Sequence, residues 1–567
     1  MKKYILMILA GLLTTSCLDT VILPDNKTVD EDYWKTKSDV QAMVTNAYKS
    51  MIDADVVTRL IVWGDMRSDE LLPTSTGINT SAGLAIQEDL NQLNTANTQY
   101  DNTFATWADF YSVINNCNIV LKKASAVMEV DPSYTQGDYL ADCSQMLALR
   151  SLCYFYLVRN FRDVPYTTEA FMTSSQDFNV PQVAPETVLR NCIEDLKTAE
   201  GNSLLATAYT DWRRVGYFNR DGIDALLSDI YLWLGSVNHS KSDYEQAVVY
   251  ADKVIASKQA QHTAQNSSAT DQSVYPLAEG RDMFDQLFIT QNAEESIFEL
   301  QFDGSSNKNT SAFTYLNSYN GSTNNPYLEA PGIFGKGSQI YTTGTNVADY
   351  RGLLNTFSST EENYKVRKMV TNVMYSPSTT TGAQVTKTTS TTYDHNYIIY
   401  RLSDVMLMKA EALVSMADST TDAGHLRPAF NLVQAVNTRA IENKTDSIKW
   451  NTYSNQEKME SLVLAERLRE FAFEGKRWYD LLRYNYRHVT GVDYSTMLYQ
   501  QQTFVETYSP MLNLLIRKFS TGGNAISAKL STEPMLYLPV PKSDMQVCKT
   551  LVQNPGYSTS STYEKNK

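Results

Sequence analysis

The sequence predicts a mainly α fold: tetratricopeptide-like helical hairpins forming a single large core, with a loop-rich irregular part containing short strands. Three observations predict it. Apolar residues recur at three- and four-residue spacing over most of the chain. Two pairs of such segments carry small residues, and one a turn glycine, as helix hairpins do. Residues 258–398 lose this periodicity and are rich in Ser, Thr, Asn and Gly.

Val40 to Met51 presents Val40, Met43, Val44, Ala47 and Met51 on one stripe. Phe104–Val127, Leu140–Phe161, Thr187–Glu200, Gly222–Gly235 and Asp243–Ser257 follow as helices. The pattern returns at Tyr400–Met416, Arg427–Ile441 and Ser454–Asn485, the last opening with capping-box spacing at Ser454 and Glu457. Ala225–Gly235 with Tyr244–Ala251 reads as one hairpin, and Met408–Leu413 with Pro428–Ala440 as another. Ala141–Tyr156 is the first helix of a third. Long insertions separate them, so no regular solenoid is expected. Glu295–Phe302 reads as a strand, and the Thr-rich run from 370 to 392 as short strands and loops. The prolines of Leu536–Lys542 impose an extended path.

The chain has 567 residues, 43 % hydrophobic and 20 % charged, which excludes disorder for its bulk. Only the N-terminus carries a marked apolar run, so a polytopic membrane protein is excluded. The net charge of −14 disfavours a nucleic-acid partner. Five scattered His argue against a His-rich metal site. No metal or cofactor is expected. The 36 Tyr suit either a Tyr-rich core or exposed stacking platforms.

Lys2-Lys3, an apolar run from Tyr4 to Leu13, and small residues before Cys17 form an export signal too short to span a bilayer. Cys17 resembles the acylated cysteine of a bacterial lipobox, with Leu13 four residues before it. On this reading residues 1–16 are removed. The remaining 551 residues are anchored by lipid, and losing Lys2 and Lys3 takes −14 to −16. Residues 17–567 are expected as one domain. Its helical core is about 30–257 and 399–490, its loop-rich insertion about 258–398, and its C-terminal extended segment about 491–567. The other five Cys are an odd number. Cys143 and Cys153 share a helix, too far apart to pair. Buried free thiols are expected.

Several segments, in order, resemble the SusD-like (RagB/SusD) outer-membrane lipoproteins of Bacteroidetes. They are Asp32-Tyr-Trp-Lys-Thr36, Trp63–Glu70, Tyr111–Asn118, Leu149–Tyr166, Tyr400–Ala412, Glu466–Arg483, and Leu538–Pro541 with Gln553–Tyr557. The resemblance covers essentially the whole mature chain. It implies a non-enzymatic, surface-facing protein that captures glycan, or in some members peptide. The captured ligand passes to a SusC-like TonB-dependent outer-membrane transporter.

The densest charged motif, Glu466–Arg483, offers paired carboxylates that could suggest glycoside hydrolysis. Interleaved arginines would instead hold them ionised, so a buried ion-pair network is expected, with Arg150, Glu411 and Asp480 in similar pairs. There is no phosphate loop, G-x-S-x-G or H-E-x-x-H motif. Asp303–Asn309 reads as a turn, not a calcium loop. Trp107 and Trp478 sit on helical stripes and are assigned to the core. Ligand contacts are sought where aromatics and amides lie outside helical periodicity. The candidates are Trp63, Asp65, Arg67, Asp69, Tyr100 and Asn102 in one region, and Tyr315, Tyr319, Tyr327 and Tyr341 in another. The rival readings are oligopeptide capture, a surface glycosidase, and a lid that binds no ligand.

Overall fold

The computed structural model describes residues 33–74, 80–266, 274–316, 326–334, 340–341, 349–352, 357–358, 365–366, 368–376, 384–389, 393–498 and 510–557. Residues 1–32, Cys17 among them, and Tyr319 lie outside them.

The chain is mostly helical. Helix α1 (Lys37–Met51) starts at a capping box: Asp39 N–H donates to Thr36 Oγ1 and Thr36 N–H to Asp39 Oδ2. It packs on α4 (Ala108–Val130). Between them, α2 (Ala54–Ile61) runs into a π-helical turn, Val62–Met66, and α3 (Ser81–Asn94) lies beyond. Helices α4, α5 (Gln136–Phe161) and α6 (Pro185–Asn202) pack in succession. Helices α7 (Arg220–Asn238) and α8 (Lys241–Gln265) form the hairpin read from Ala225 and Tyr244. A Cβ on Gly235 would lie 2.7 Å from Tyr244 Cδ1, so the glycine admits the returning ring. His239, in the left-handed region at φ 51°, makes the turn, and Ser240 caps α8. Helices α9 (Leu402–Ser415) and α10 (Ala423–Ala440) form the next hairpin, with α9 against α8.

The expected single helix over Ser454–Asn485 is two. Helix α11 (Gln456–Phe471) is capped by Asn455, one residue past Ser454, and α12 (Arg477–His488) follows a sharp break. Phe473 and Gly475 are in the left-handed region, at φ 66° and 74°. The break is chemical: Arg401 Nη2 and Lys368 Nζ take the Glu470 carbonyl at 2.8 and 3.0 Å, ending the ladder.

The strands are short. Ser296–Leu300 pairs antiparallel with Tyr397–Arg401, and both are buried throughout. Thr371–Ser376 pairs with Gln384–Thr389 in the Thr-rich run. The segment expected to be extended from 491 instead carries short helices at Pro510–Leu515, Gly523–Lys529 and Lys542–Val547. Tyr537–Pro541 does run extended, buried against Asn160, whose carbonyl accepts from Leu538 N–H at 2.7 Å. Cys117, Cys153 and Cys192 are buried free thiols, and Cys143 and Cys548 are free and half-buried. Among the described residues no helix is long and apolar enough to cross a membrane.

The tightest crossing is at Gly64. A Cβ there would lie 2.6 Å from Gly475 Cα, with that residue's carbonyl nearer still. Gly64→Ala is therefore expected to lower thermal stability by about 3 kcal/mol or to block folding. Gly137→Ala, whose Cβ meets nothing closer than Thr135 Oγ1 at 3.7 Å, should change it by under about 1 kcal/mol. Thermal melts of both variants check the contrast.

Candidate functional site

The structure corrects the first group of candidates. Trp63 is fully enclosed: its ring stacks on Phe110 at 5.1 Å and its Nε1 donates to the Phe104 carbonyl at 2.8 Å. Arg67 bonds Asn160 Oδ1 at 3.1 Å and the Leu536 carbonyl at 2.6 Å, with its guanidinium over Trp478. Asp69 grips Arg477 through both oxygens, at 2.8 and 3.1 Å. Asp65 accepts from Gly475 N–H at 2.8 Å. None of the four has a side chain free to meet a ligand. The segment lacks helical periodicity because its π-turn is buried on every side, not because it is a surface loop.

Asn102 is a buried turn residue, donating to the Asp89 carbonyl and accepting from Phe104 N–H. Tyr315 and Tyr341 are also buried, each 8 % exposed. Tyr100 is 43 % exposed, with Lys542 Nζ 5.0 Å from its ring. Tyr327 is half-buried. The two regions do meet. Leu72–Pro73 pairs antiparallel with Leu328–Glu329, Thr74 N–H donates to the Tyr327 carbonyl at 2.9 Å, and Tyr315 lies between Phe104 and Tyr327. Of the candidates on the described part of this junction, Tyr327 is partly exposed, with its ring packed against Tyr315 and the core.

The Glu466–Arg483 motif is a buried ion-pair network. Glu470 receives Arg351 at 2.8 Å, and Arg401 and Arg439 as well. Glu474 receives Arg401 at 2.9 Å and Lys368 at 2.6 Å, and Glu466 receives Arg351 and Arg469. The cations hold Glu466, Glu470 and Glu474 below the usual carboxylate range despite their burial. Glu411 and Asp480 pair with Arg483, and Arg150 with Asp195. Ionised, arginine-clamped carboxylates do not donate a proton as a general acid must. Trp107 and Trp478 are core, as their stripes imply. Asp303 makes a turn, its Oδ1 accepting from Ser305 and Asn307 N–H.

Comparisons with known proteins bear directly on this arrangement. Residues 333–557 match the profile described as "SusD family", and residues 24–232 match "Starch-binding associating with outer membrane". The chain belongs to the SusD-like family. It is 24 % identical over 509 residues to SusD-like protein P38 of Formosa agariphila, spanning 85 % of this chain and 90 % of that one. A SusD-superfamily crystal structure from Bacteroides thetaiotaomicron aligns with TM-score 0.62 and 22 % identity, covering 93 % and 99 % of the two chains. A structure described as a laminarin-binding SusD-like protein aligns with TM-score 0.60 and 19 % identity, covering 92 % and 100 %. At these identities the structures establish a shared fold.

The SusD-like chain also has surface pockets that sequence reading missed. One is lined by Trp107, Tyr111, Phe171 and Phe178, and Trp107 Nε1 donates to Asp544 across it. Another holds Glu460, kept ionised by Arg487 and His488. A third lies beneath Trp212, an exposed aromatic in a polar, aperiodic segment. Its signal in the sequence was that lone aromatic, which no helical stripe explained.

Two consequences are measurable. Arg401→Met strands three carboxylates, Glu295, Glu470 and Glu474, each short of a donor. It is expected to cost about 3–5 kcal/mol in denaturant unfolding. The second concerns Asp65, which faces Glu70. Burial, opposed in part by the bond to Glu70, raises Asp65 to about 8, and burial and the Asp65 charge raise Glu70 well above its usual value. A proton between the two carboxyls also supplies the Asp65 oxygen that otherwise has no donor. The Asp65 carboxyl loses its proton near pH 4 in the unfolded chain and near 8 in the folded one, so through this group the fold loses stability as pH rises from about 4 to 8. Asp65→Asn should flatten that loss. Its melting temperature should fall less than wild type between pH 5 and 8.

Proposed function

We propose that this SusD-like chain is a cell-surface lipoprotein that binds neutral glycan and delivers it to a SusC-like TonB-dependent transporter. One observation carries the reading: two aromatic- and amide-rich segments, distant in sequence, are joined at the Leu72–Pro73 and Leu328–Glu329 pair, with the Tyr327 ring at its edge. Aromatic faces stack on the C–H faces of sugar rings, while amides bond the hydroxyls. The likeness to a laminarin-binding relative supports glycan over peptide. The acidic balance disfavours polyanionic glycans. The densest carboxylate cluster is committed to ion pairs, which supports capture rather than hydrolysis. Acylation at Cys17 holds the protein at the outer membrane, facing outward.

Native gel electrophoresis through embedded neutral polysaccharides tests the reading. At least one polysaccharide should retard the chain, and Tyr327→Ala should weaken that retardation several-fold. Tyr100→Ala tests the other accessible tyrosine in the same gel. Retardation by no glycan, with binding to oligopeptides in calorimetry, would overturn it. Cys17→Ser is expected to move the protein from the membrane to the soluble fraction.

A further inference from the structure

Trp212 occupies a place that the fold itself does not explain. It is 45 % exposed, yet it is held. The single helical turn Arg213–Gly216 bends the chain back so that the indole lies over Gly216. A Cβ on Gly216 would come within 2.6 Å of Trp212 Cε3 and 2.7 Å of Gln301 Cγ. The ring meets Tyr217 edge-to-face at 5.4 Å, and Tyr217 in turn stacks on Tyr48 at 4.4 Å. A large apolar ring left half in water forgoes burial worth about 25 cal/mol per Å². A ring fixed there by a glycine and a two-tyrosine stack is a prepared surface, and little ordering remains to be done when something lands on it.

Beneath the indole is a cavity of about 440 Å³, within the usual range of small-molecule sites. Polar residues line it beside the aromatic rings. Asp303 Oδ1 accepts from the Ser305 and Asn307 N–H groups of the turn, and these bonds lower its pKa, so the exposed carboxylate is ionised at neutral pH. Lys49 on α1 and Asn307 also line the cavity, as does Thr45, whose hydroxyl meets Tyr217 Oη at 3.1 Å. Among the described lining residues one cation, Lys49, balances one carboxylate, Asp303. That favours an uncharged ligand. An aromatic wall together with hydrogen-bonding residues matches the two surfaces of a pyranose: a C–H face and a rim of hydroxyls.

We propose that the Trp212 cavity is a second saccharide site, taking one or two pyranose rings of a neutral glycan, apart from the junction at Tyr327. It rests on the glycan-binding reading above. Two sites on one chain let a polysaccharide be held at two points, which raises its apparent affinity without new contacts.

The test uses the chain from Leu18 onward, which retains every described residue, labelled with 5-fluorotryptophan. Trp212→Phe assigns the Trp212 fluorine resonance. Maltose, cellobiose, laminaribiose and mannobiose are titrated in turn, with triglycine as the peptide control. At least one disaccharide should shift the Trp212 resonance saturably. Asn307→Ala, which leaves the ring in place, should weaken that titration about tenfold, and Trp212→Ala should cut calorimetric affinity for the same sugar at least as much. A Trp212 resonance unmoved by every sugar, in a protein that glycan gels still retard, would overturn the second site and leave the function intact. A protein bound by no glycan in either assay would overturn both. A resonance shifted by triglycine alone would overturn the saccharide assignment.

Discussion

The structure turns on one buried ionic node. Five cations (Arg351, Lys368, Arg401, Arg439 and Arg469) face five carboxylates (Glu295, Asp349, Glu466, Glu470 and Glu474), all with buried side chains. Their charges cancel. Such a cluster is tolerable in a low-dielectric interior only when each member is paired and hydrogen-bonded. That requirement fixes geometry over a long reach of chain. Arg401 ends a strand, Arg439 lies one residue before the end of α10, Glu470 lies near the end of α11, and Glu295 precedes the partner strand. Moving any of these elements by a few ångströms would strand a charge. The irregular part contributes too, through Asp349, Arg351 and Lys368, so these described loop residues are tied to the helical core by ion pairs.

The same node explains the break that helical periodicity concealed. The spacing of Glu466, Glu470 and Glu474 is helical, and it reads naturally as one face of one helix. In the fold Glu474 lies beyond the end of α11, because Arg401 and Lys368 bind side-chain carboxylates and main-chain carbonyls together. Gly475 then passes under Gly64 and the Tyr397 hydroxyl at positive φ. Spacing was legible in the sequence; the partner that interrupts the ladder was not, since Arg401 is some seventy residues away. The helices α1 and α4–α10 were legible because their apolar stripes are local. So was the ionic nature of the charged motif, because arginines alternate with the carboxylates. Trp63, Asp65, Arg67 and Asp69 were misread for the converse reason. A π-turn enclosed on all sides loses the 3.6-residue signal just as a surface loop does.

The abundance of tyrosine sorts along a similar line. Tyr154 and Tyr111 donate to the Thr167 and Pro165 carbonyls, Tyr400 bonds Asp229, and Tyr479 bonds Asn160. Each packs a large ring against the core, fully buried except at Tyr111, and satisfies an internal polar group with its tip. These rings hold helices to the loops that connect them. Composition alone could not separate them from stacking platforms, because the same amphipathic chemistry serves both.

What separates a platform from a strut is the balance between exposure and restraint. A strut is buried and its polar tip is engaged, as at Tyr154. An incidental surface aromatic is exposed and free to rotate. Trp212 is neither: it is exposed, and Gly216 and the Tyr217–Tyr48 stack restrict where it can go. Restraint without burial contributes little to folding, since the apolar area stays in water. It contributes to binding, where a ring already in place has no rotamer freedom left to lose. Because loops carry such rings while the ionic node fixes the scaffold beneath them, the binding surface can change in sequence without disturbing the fold.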